Sequence, residues 1–400
     1  MSSGILSRLR VGPRVTMTVV LPVVAMLGLS SYLIIEERNQ LNQLEVLSAL
    51  ATMGVDLSGV VHQLQKERGR SAGFIASGGK TFAVELPTQR LEIDTARKIL
   101  DDRLKEFDAG PSEGELATRL TDVTAALAEL ESKRQQITDL KMSVPQMAKY
   151  YSGTIGKALD TIALLGRLST DNEVTFQIAA YVDFLHVKER AGVERAMGAG
   201  GFGAGKFTVA LGKRFVTQIA MQDAFLKEFS IHANQEQYDF YKRTVVGSPV
   251  EEVDRMREVA IVSIGKQDAG GVKTSHWFEQ INAKINLMKE VENKVASDLI
   301  SLTSAKSAEA QETFTLLLVV SLVVLVLVLG TVVTVSRSIT RPIDTLTHDM
   351  GKLANGDKGI TVQGTDRGDE LGEMARAVLV FKENMIKADQ LQAEEEQQQQ

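Results

Sequence analysis

Two stretches, Val15 to Ile35 and Phe314 to Val335, carry no charged side chain and are dominated by Val, Leu and Ile. Each is close to the ~20 residues that a helix needs to cross a bilayer core, so the pattern predicts spanning helices at 15–35 and 314–335. Between them, over 36–313, apolar residues recur at steps of three and four, as in Leu57, Val61 and Leu64 or Phe176, Ala180, Phe184 and Val187. That is the period of amphipathic helices, and no sustained alternation of period two marks a strand. Breaks at Gly78-Gly79, Gly110-Pro111, Pro145, Gly198 to Gly205, Gly247 to Pro249 and Gly270-Gly271 divide the segment. Roughly eight helices result, enough for two stacked four-helix bundles. The expected fold is all-α: a membrane-anchored double four-helix bundle, two transmembrane helices and a short coiled-coil module.

That module follows the second apolar run. Ile339, Ile343, Leu346, Met350 and Leu353 step by four and three, and so do Leu371, Met374, Val378, Phe381 and Met385. These are coiled-coil seams, each too short to stand alone, so a second copy of the chain is expected to pair with them.

Charge orients the spans. Arg8, Arg10 and Arg14 precede the first and Arg337 and Arg341 follow the second, while Glu36, Glu37, Glu309 and Glu312 flank the opposite ends. The positive-inside tendency makes both termini cytoplasmic and the middle external. A cleaved signal peptide is the alternative for the first 35 residues, but the apolar run exceeds the usual 7–15-residue core of such a signal.

Composition removes several functions. A net charge of −6 offers no broad basic footprint for nucleic acid. The chain has no cysteine, which excludes disulfides, thiol catalysis and cysteine-ligated zinc, and its five histidines are scattered. Neither a metal nor another cofactor is expected. No nucleophile–base–acid constellation is recognisable, and the chain is read as a non-enzyme.

A weak internal repeat supports two bundles. Lys66-Glu67-Arg68-Gly69 is followed by Gly73-Phe74 and Gly78-Gly79-Lys80-Thr81-Phe82; Lys188-Glu189-Arg190-Ala191-Gly192 is followed by Gly198, Gly201-Phe202 and Gly205-Lys206-Phe207. The offset begins at 122 residues and grows by three.

Arg68 is the most informative polar position. Leu57, Val61, Leu64, Arg68, Ser71 and Ile75 form one heptad seam with an arginine in its fourth place. A buried guanidinium cannot shed its proton, so Arg68 must meet a carboxylate, carbonyl groups, water or a bound anion. Arg195 turns toward the apolar side of its helix and Arg190 lies nearer the edge, so arginines of the two repeats can converge. The glycines that follow allow close backbone approach to a small ligand. Gly201 to Lys206 lacks the spacing and preceding strand of a phosphate-binding loop. One guanidinium ~4 Å from a unit anion gains roughly 4 kcal/mol at an effective dielectric of about 20, before desolvation costs. Micromolar affinity needs about 8 kcal/mol, so a cluster is required.

Val61 to Phe74, Gln89-Arg90 and especially Phe184-Leu185-His186-Val187-Lys188-Glu189-Arg190-Ala191-Gly192-Val193-Glu194-Arg195-Ala196, with its Gly-Phe-Gly-Ala-Gly-Lys-Phe tail, resemble the NIT domain. The resemblance covers most of residues 45–300. It implies an all-helical double bundle that senses nitrate or nitrite, with arginines of these segments holding the planar anion. On this chain those are Arg68, Arg190 and Arg195, with Arg257 of Met256-Arg257 added.

Pro342, Gly356, the connector residues Ile360 and Val362, and Asp369-Glu370 resemble a HAMP domain over about residues 336–388. That resemblance implies a parallel homodimer. The Phe381-Lys382-Glu383-Asn384 helix running into a Gln/Glu-rich tail is similar to the entry of a methyl-accepting chemotaxis hairpin.

The division expected is a cytoplasmic N-terminus (1–14), a span (15–35), a periplasmic sensor (36–313), a span (314–335), a HAMP domain (336–388) and the start of a signalling helix (389–400). The 400 residues are expected to be the front part of a longer inner-membrane protein. Through residues beyond 400 it would engage a coupling protein and the chemotaxis kinase. The alternatives are a histidine kinase or diguanylate cyclase behind the same sensor, or a ligand-free structural membrane dimer.

Overall fold

The computed structural model describes residues 11–106 and 113–398. Arg8, Arg10, the break at Gly110-Pro111 and the last two glutamines lie outside them. Helix is the rule throughout, and among the described residues the only β pairing is a single bridge between Phe207 and Ile264. The contacts divide the chain into two units, residues 40–311 and residues 1–39 with 312–400.

The first unit is built from two runs of helices with the same order. One run is the part of α1 (Val11–Ala76) beyond residue 39, then α2 (Glu85–Glu106), the broken pair α3 (Glu113–Ala128) and α4 (Leu130–Thr138), and α5 (Val144–Leu168). The other is α6 (Asn172–Gly203), α7 (Val209–His232), the broken pair α8 (Gln235–Thr244) and α9 (Ser248–Val262), and α10 (Thr274–Val335) as far as residue 311. Polar residues start these helices where the chain turns. Asp171 accepts from Val174 N at 3.0 Å and Asn234 from Gln237 N at 2.9 Å, each occupying a backbone donor that the first helical turn leaves free. Proline reinforces the starts of α5 and α9.

Leu57, Val61 and Leu64 of the predicted seam are at most 1 % exposed, and Arg68 is 4 % exposed beside them. Two departures from the sequence reading have clear causes. Gly198 to Gly203 does not break the chain but continues α6, because side chains absent there make room for the rings of Trp277 on Gly198 and Phe207 on Gly201. The repeat also has a different register. Ser77, Gly78 and Gly79 donate to the carbonyls of Gly73, Ile75 and Phe74 at the end of α1; Ala204, Gly205 and Lys206 donate to those of Gly200, Phe202 and Gly201 at the end of α6. Gly78 and Gly205 both take the left-handed conformation, with φ of 61° and 65°, that this helix-ending motif requires. Every matched pair is 127 positions apart. That register sets Glu67-Arg68 against Glu194-Arg195, not against Glu189-Arg190 as the two Lys-Glu-Arg tripeptides imply.

In the second unit, α1 and α10 contain stretches long and apolar enough to cross a membrane, and none of either stretch is buried. Leu21, Val24, Leu322 and Leu327 are each more than 60 % exposed, as lipid-facing side chains would be. A wider π-type turn, Ser336–Thr340, joins α10 to α11 (Arg341–Ala354), and α12 (Glu370–Gln398) follows a connector. Pro342 explains the turn, since it has no N–H to continue the preceding ladder. Arg367 donates to Ser338 O at 3.0 Å near the starts of α11 and α12, while Lys358, just beyond α11, reaches Met385 O and Asp389 far along α12. The two helices therefore run parallel. Leu346, Leu353, Ile360, Val362, Ala375 and Val378 form the core between them and the connector.

Candidate functional site

Helices α1 and α6 cross where Gly69 meets Arg195 and Gly192 meets Arg68. A Cβ on Gly69 would lie 2.7 Å from Arg195 Nη2, and one on Gly192 would lie 3.1 Å from Arg68 Nη2. Each guanidinium therefore rests on the bare backbone of the opposite helix. The absence of a side chain at those two positions is what lets both arginines enter the crossing.

One hydrogen-bonded chain joins them. Arg195 Nη2 donates to the carbonyl of Gln65 at 3.2 Å, and Gln65 Nε2 donates to Glu189 Oε2 at 2.8 Å. Arg68 grips the same carboxylate with both terminal nitrogens, at 2.7 and 3.1 Å, and donates to Ser152 of α5 at 2.8 Å. Of the partners open to Arg68 from sequence, a carboxylate on a neighbouring helix is thus one it has.

Arg195 differs. It is 7 % exposed, donates to Asn282 of α10, stacks 5.3 Å over the ring of Phe278, and has no carboxylate at ion-pair distance among the described residues. Burial, and after it the neighbouring charge of Arg68, push its guanidinium down to about 10. It stays protonated at neutral pH, a positive charge with Glu189 nearby but with no carboxylate in direct contact among the described residues.

The other two candidate arginines stand apart from this pair. Arg257 on α9 holds Glu194 of α6 through two bonds of 2.7 Å and also donates to Gln222 of α7 at 2.9 Å. Its counterpart in the first bundle is Arg134 of α4, which grips the fully buried Glu67 at 3.0 Å. In both bundles, then, the glutamate just before the crossing arginine is tied down by an arginine from the second half of the broken helix pair. Arg190 is half-buried, its Nε has no hydrogen-bond partner among the described residues, and it lines neither of the two cavities that flank the crossing.

Two cavities flank the crossing. One, of about 540 Å³, is lined by Arg68, Gly69, Ala72, Ser152, Gly192 and Ala196 among others, with Lys149 and Arg214 adding positive charge and no acidic residue in its lining. The second, of about 680 Å³, opens beside Arg195 and is walled by Phe82 and Phe278. Both share Gly69, Ala72, Val144 and Ala196. Glu189, Gln65, Asn282, Lys149, Arg214 and Phe278 escaped the sequence reading. Glu189 and Gln65 stood inside the motif stretches without any mark of what they would meet, and the others come from α5, α7 and α10 with no linear signal.

Residues 59–300 match the family model described as nitrate and nitrite sensing, NIT, and residues 334–387 match the HAMP domain. The chain belongs to the NIT family. The NIT match covers most of the first unit, including Arg68, Arg190, Arg195 and Arg257. The chain is 26% identical over 274 residues to the nitrate regulatory protein of Klebsiella oxytoca, spanning 67% of either chain. It is 51% identical over 61 residues to a Sinorhizobium fredii protein named "Probable chemoreceptor y4sI", a match spanning 15% of this chain and 8% of that one. The solved structure of the NasR transcription antiterminator shares the fold, with a TM-score of 0.64 at 23% identity over 89% of this chain and 99% of that one.

Proposed function

We propose that this NIT-family protein is a two-pass inner-membrane receptor that binds nitrate or nitrite between Arg68 and Arg195 and relays occupancy through its HAMP domain to a chemotaxis output. The observation that carries the reading is Arg195, a buried guanidinium without a carboxylate, set against Arg68 at a glycine-lined crossing. Two guanidinium groups ~4 Å from one anion supply roughly 8 kcal/mol of attraction before desolvation is subtracted, twice what one supplies, against the roughly 8 kcal/mol net of micromolar binding. The Klebsiella relative's name, a nitrate regulatory protein, supports the ligand, and the chemoreceptor match supports the output.

The sensor is placed in the periplasm with both termini in the cytoplasm, on the distribution of arginine and glutamate around the apolar runs. Homodimerisation is supported by Ile339, Met350, Met374 and Phe381, which are exposed on the HAMP helices despite lying on the coiled-coil seams. The receptor acts by binding alone, with any enzymatic step left to its partners.

Calorimetric titration of the full chain in detergent micelles with sodium nitrate and nitrite tests the reading. Arg195→Ala should weaken binding more than tenfold. Glu189→Gln should strengthen it, because it removes the negative charge that competes for Arg68. No heat with either anion in the parent, or affinity unchanged in both variants, removes the assignment.

A further inference from the structure

The cavity beside Arg195 is larger than an inorganic oxyanion needs. Its volume of about 680 Å³ falls within the ~300–1,000 Å³ of sites that hold drug-sized organic molecules. Small residues of α1 and α6, among them Ala72, Ala76, Ala199 and Gly203, make the floor, and the tilted pair Phe82 and Phe278, ring centroids 5.7 Å apart, make an aromatic wall. Against this apolar surface stands one buried cation, Arg195, held in place by Asn282, the Gln65 carbonyl and the Phe278 ring. The exposed Glu279 also lines the cavity and disfavours a second negative charge there.

The repeat gives an independent reason to regard this as a built site. Arg195, Ala196 and Ala199 line it just as Arg68, Gly69 and Ala72, each 127 positions earlier, line the other cavity. The two are corresponding pockets of a duplicated fold, but they have diverged in chemistry. The Arg68 pocket adds Lys149 and Arg214; the Arg195 pocket adds two phenylalanines. Arg68, Arg134 and Arg257 are each paired with a buried glutamate, and among the described residues Arg195 is not.

We propose that the Arg195 cavity is a binding site for an organic monocarboxylate with an apolar body of aromatic-ring size, its carboxylate on Arg195 and its body against Phe82 and Phe278. The proposal rests on the same reading of Arg195 as an anion anchor that underlies nitrate binding. It makes the receptor responsive to two chemical classes, with the small anion and the organic acid competing for one guanidinium.

Titrations of the full chain in detergent micelles with sodium benzoate, benzyl alcohol and sodium nitrate test it. Benzoate should bind with one-to-one stoichiometry, at least tenfold more tightly than the uncharged alcohol, and nitrate should displace it. Ala199→Leu, which fills the cavity one helical turn from Arg195, should weaken benzoate at least tenfold and leave nitrate within twofold. Should that variant lose its helical circular dichroism, Ser275→Trp at the exposed rim serves the same purpose. Nitrate binding without benzoate binding overturns the proposal while the nitrate reading stands. Benzoate binding without nitrate binding does the reverse, and silence with both anions overturns both. Benzoate affinity unchanged in the cavity-filling variant and in Arg195→Gln places the acid elsewhere and also overturns the proposal.

Discussion

Arg195 of α6 lies on the backbone of Gly69 in α1, with its Nη2 2.7 Å from where a β-carbon would stand. Glycine in a helix interior costs roughly 1 kcal/mol relative to alanine, so stability alone would favour replacement. Gly69→Ala should therefore retain or raise helical content while displacing the guanidinium and weakening nitrate at least tenfold. Circular dichroism and calorimetry on the same sample check this, and unchanged affinity would show that Arg195 does not depend on the crossing for its position.

Arg257 should prove to be a structural residue. Glu194 is fully buried and receives two of its bonds from Arg257. Removing one partner of a buried ion pair leaves an uncompensated charge and costs about 3 kcal/mol or more. Arg257→Met should lower the denaturant midpoint by a corresponding amount, and adding Glu194→Gln should recover part of the loss. Equal midpoints in parent and single variant would refute the role.

His62 gives the sensor an acid sensitivity. Burial, followed by the nearby charges of Lys188, Lys289, Lys66 and Arg195, lowers its pKa to about 2. Its Nδ1 faces Lys188 Nζ at 3.5 Å, an arrangement open only to the neutral ring. The unfolded chain takes up a proton near pH 6.5 that the folded chain refuses, so folded stability falls as pH drops below 6.5. The linkage amounts to about 2 kcal/mol by pH 5. His62→Gln should remove that contribution, seen as a shallower decline in the urea midpoint between pH 7 and 5; parallel declines in the two proteins would count against it.

The HAMP module offers a test of relay. Ile343 and Leu371 lie on the two predicted seams, and the chain has no cysteine of its own. Ile343→Cys or Leu371→Cys should cross-link between copies at a rate that nitrate changes several-fold, as a coupling of about 1–3 kcal/mol would produce. Gly372→Ala should abolish that response, because a β-carbon there would collide with the backbone carbonyl of Arg367 at the start of α12. A cross-linking rate indifferent to nitrate, in protein that binds it, would make the module a passive scaffold.

Periodicity was sufficient for the architecture. Charge-free apolar runs, three-and-four spacing and glycine or proline at the turns are local properties, and each maps onto one helix whatever packs against it. The burial of Leu57, Val61, Leu64 and Arg68 on one face of α1 was legible for the same reason. Glycine was less transparent, because the same residue ends α1 at Gly78 and lets Trp277 press on an unbroken α6 at Gly198. Only the neighbour distinguishes those uses.

The sequence by itself determined that Arg68 and Arg195 face their helices' apolar sides and that a buried guanidinium needs a partner. Tertiary structure decided which partner each received. Arg68 meets Glu189 and Arg257 meets Glu194 because α6 passes between α1 and α9, whereas the same packing brings Arg195 to Asn282 and Phe278 and, among the described residues, to no carboxylate at ion-pair distance. It also shifted the repeat register by five positions, from Arg190 to Arg195, since hydrogen bonds at helix ends constrain alignment more strongly than a shared Lys-Glu-Arg. Charge pairing between helices depends on distance in space, and partners 63 to 121 positions apart leave no mark of that distance in a single chain's order.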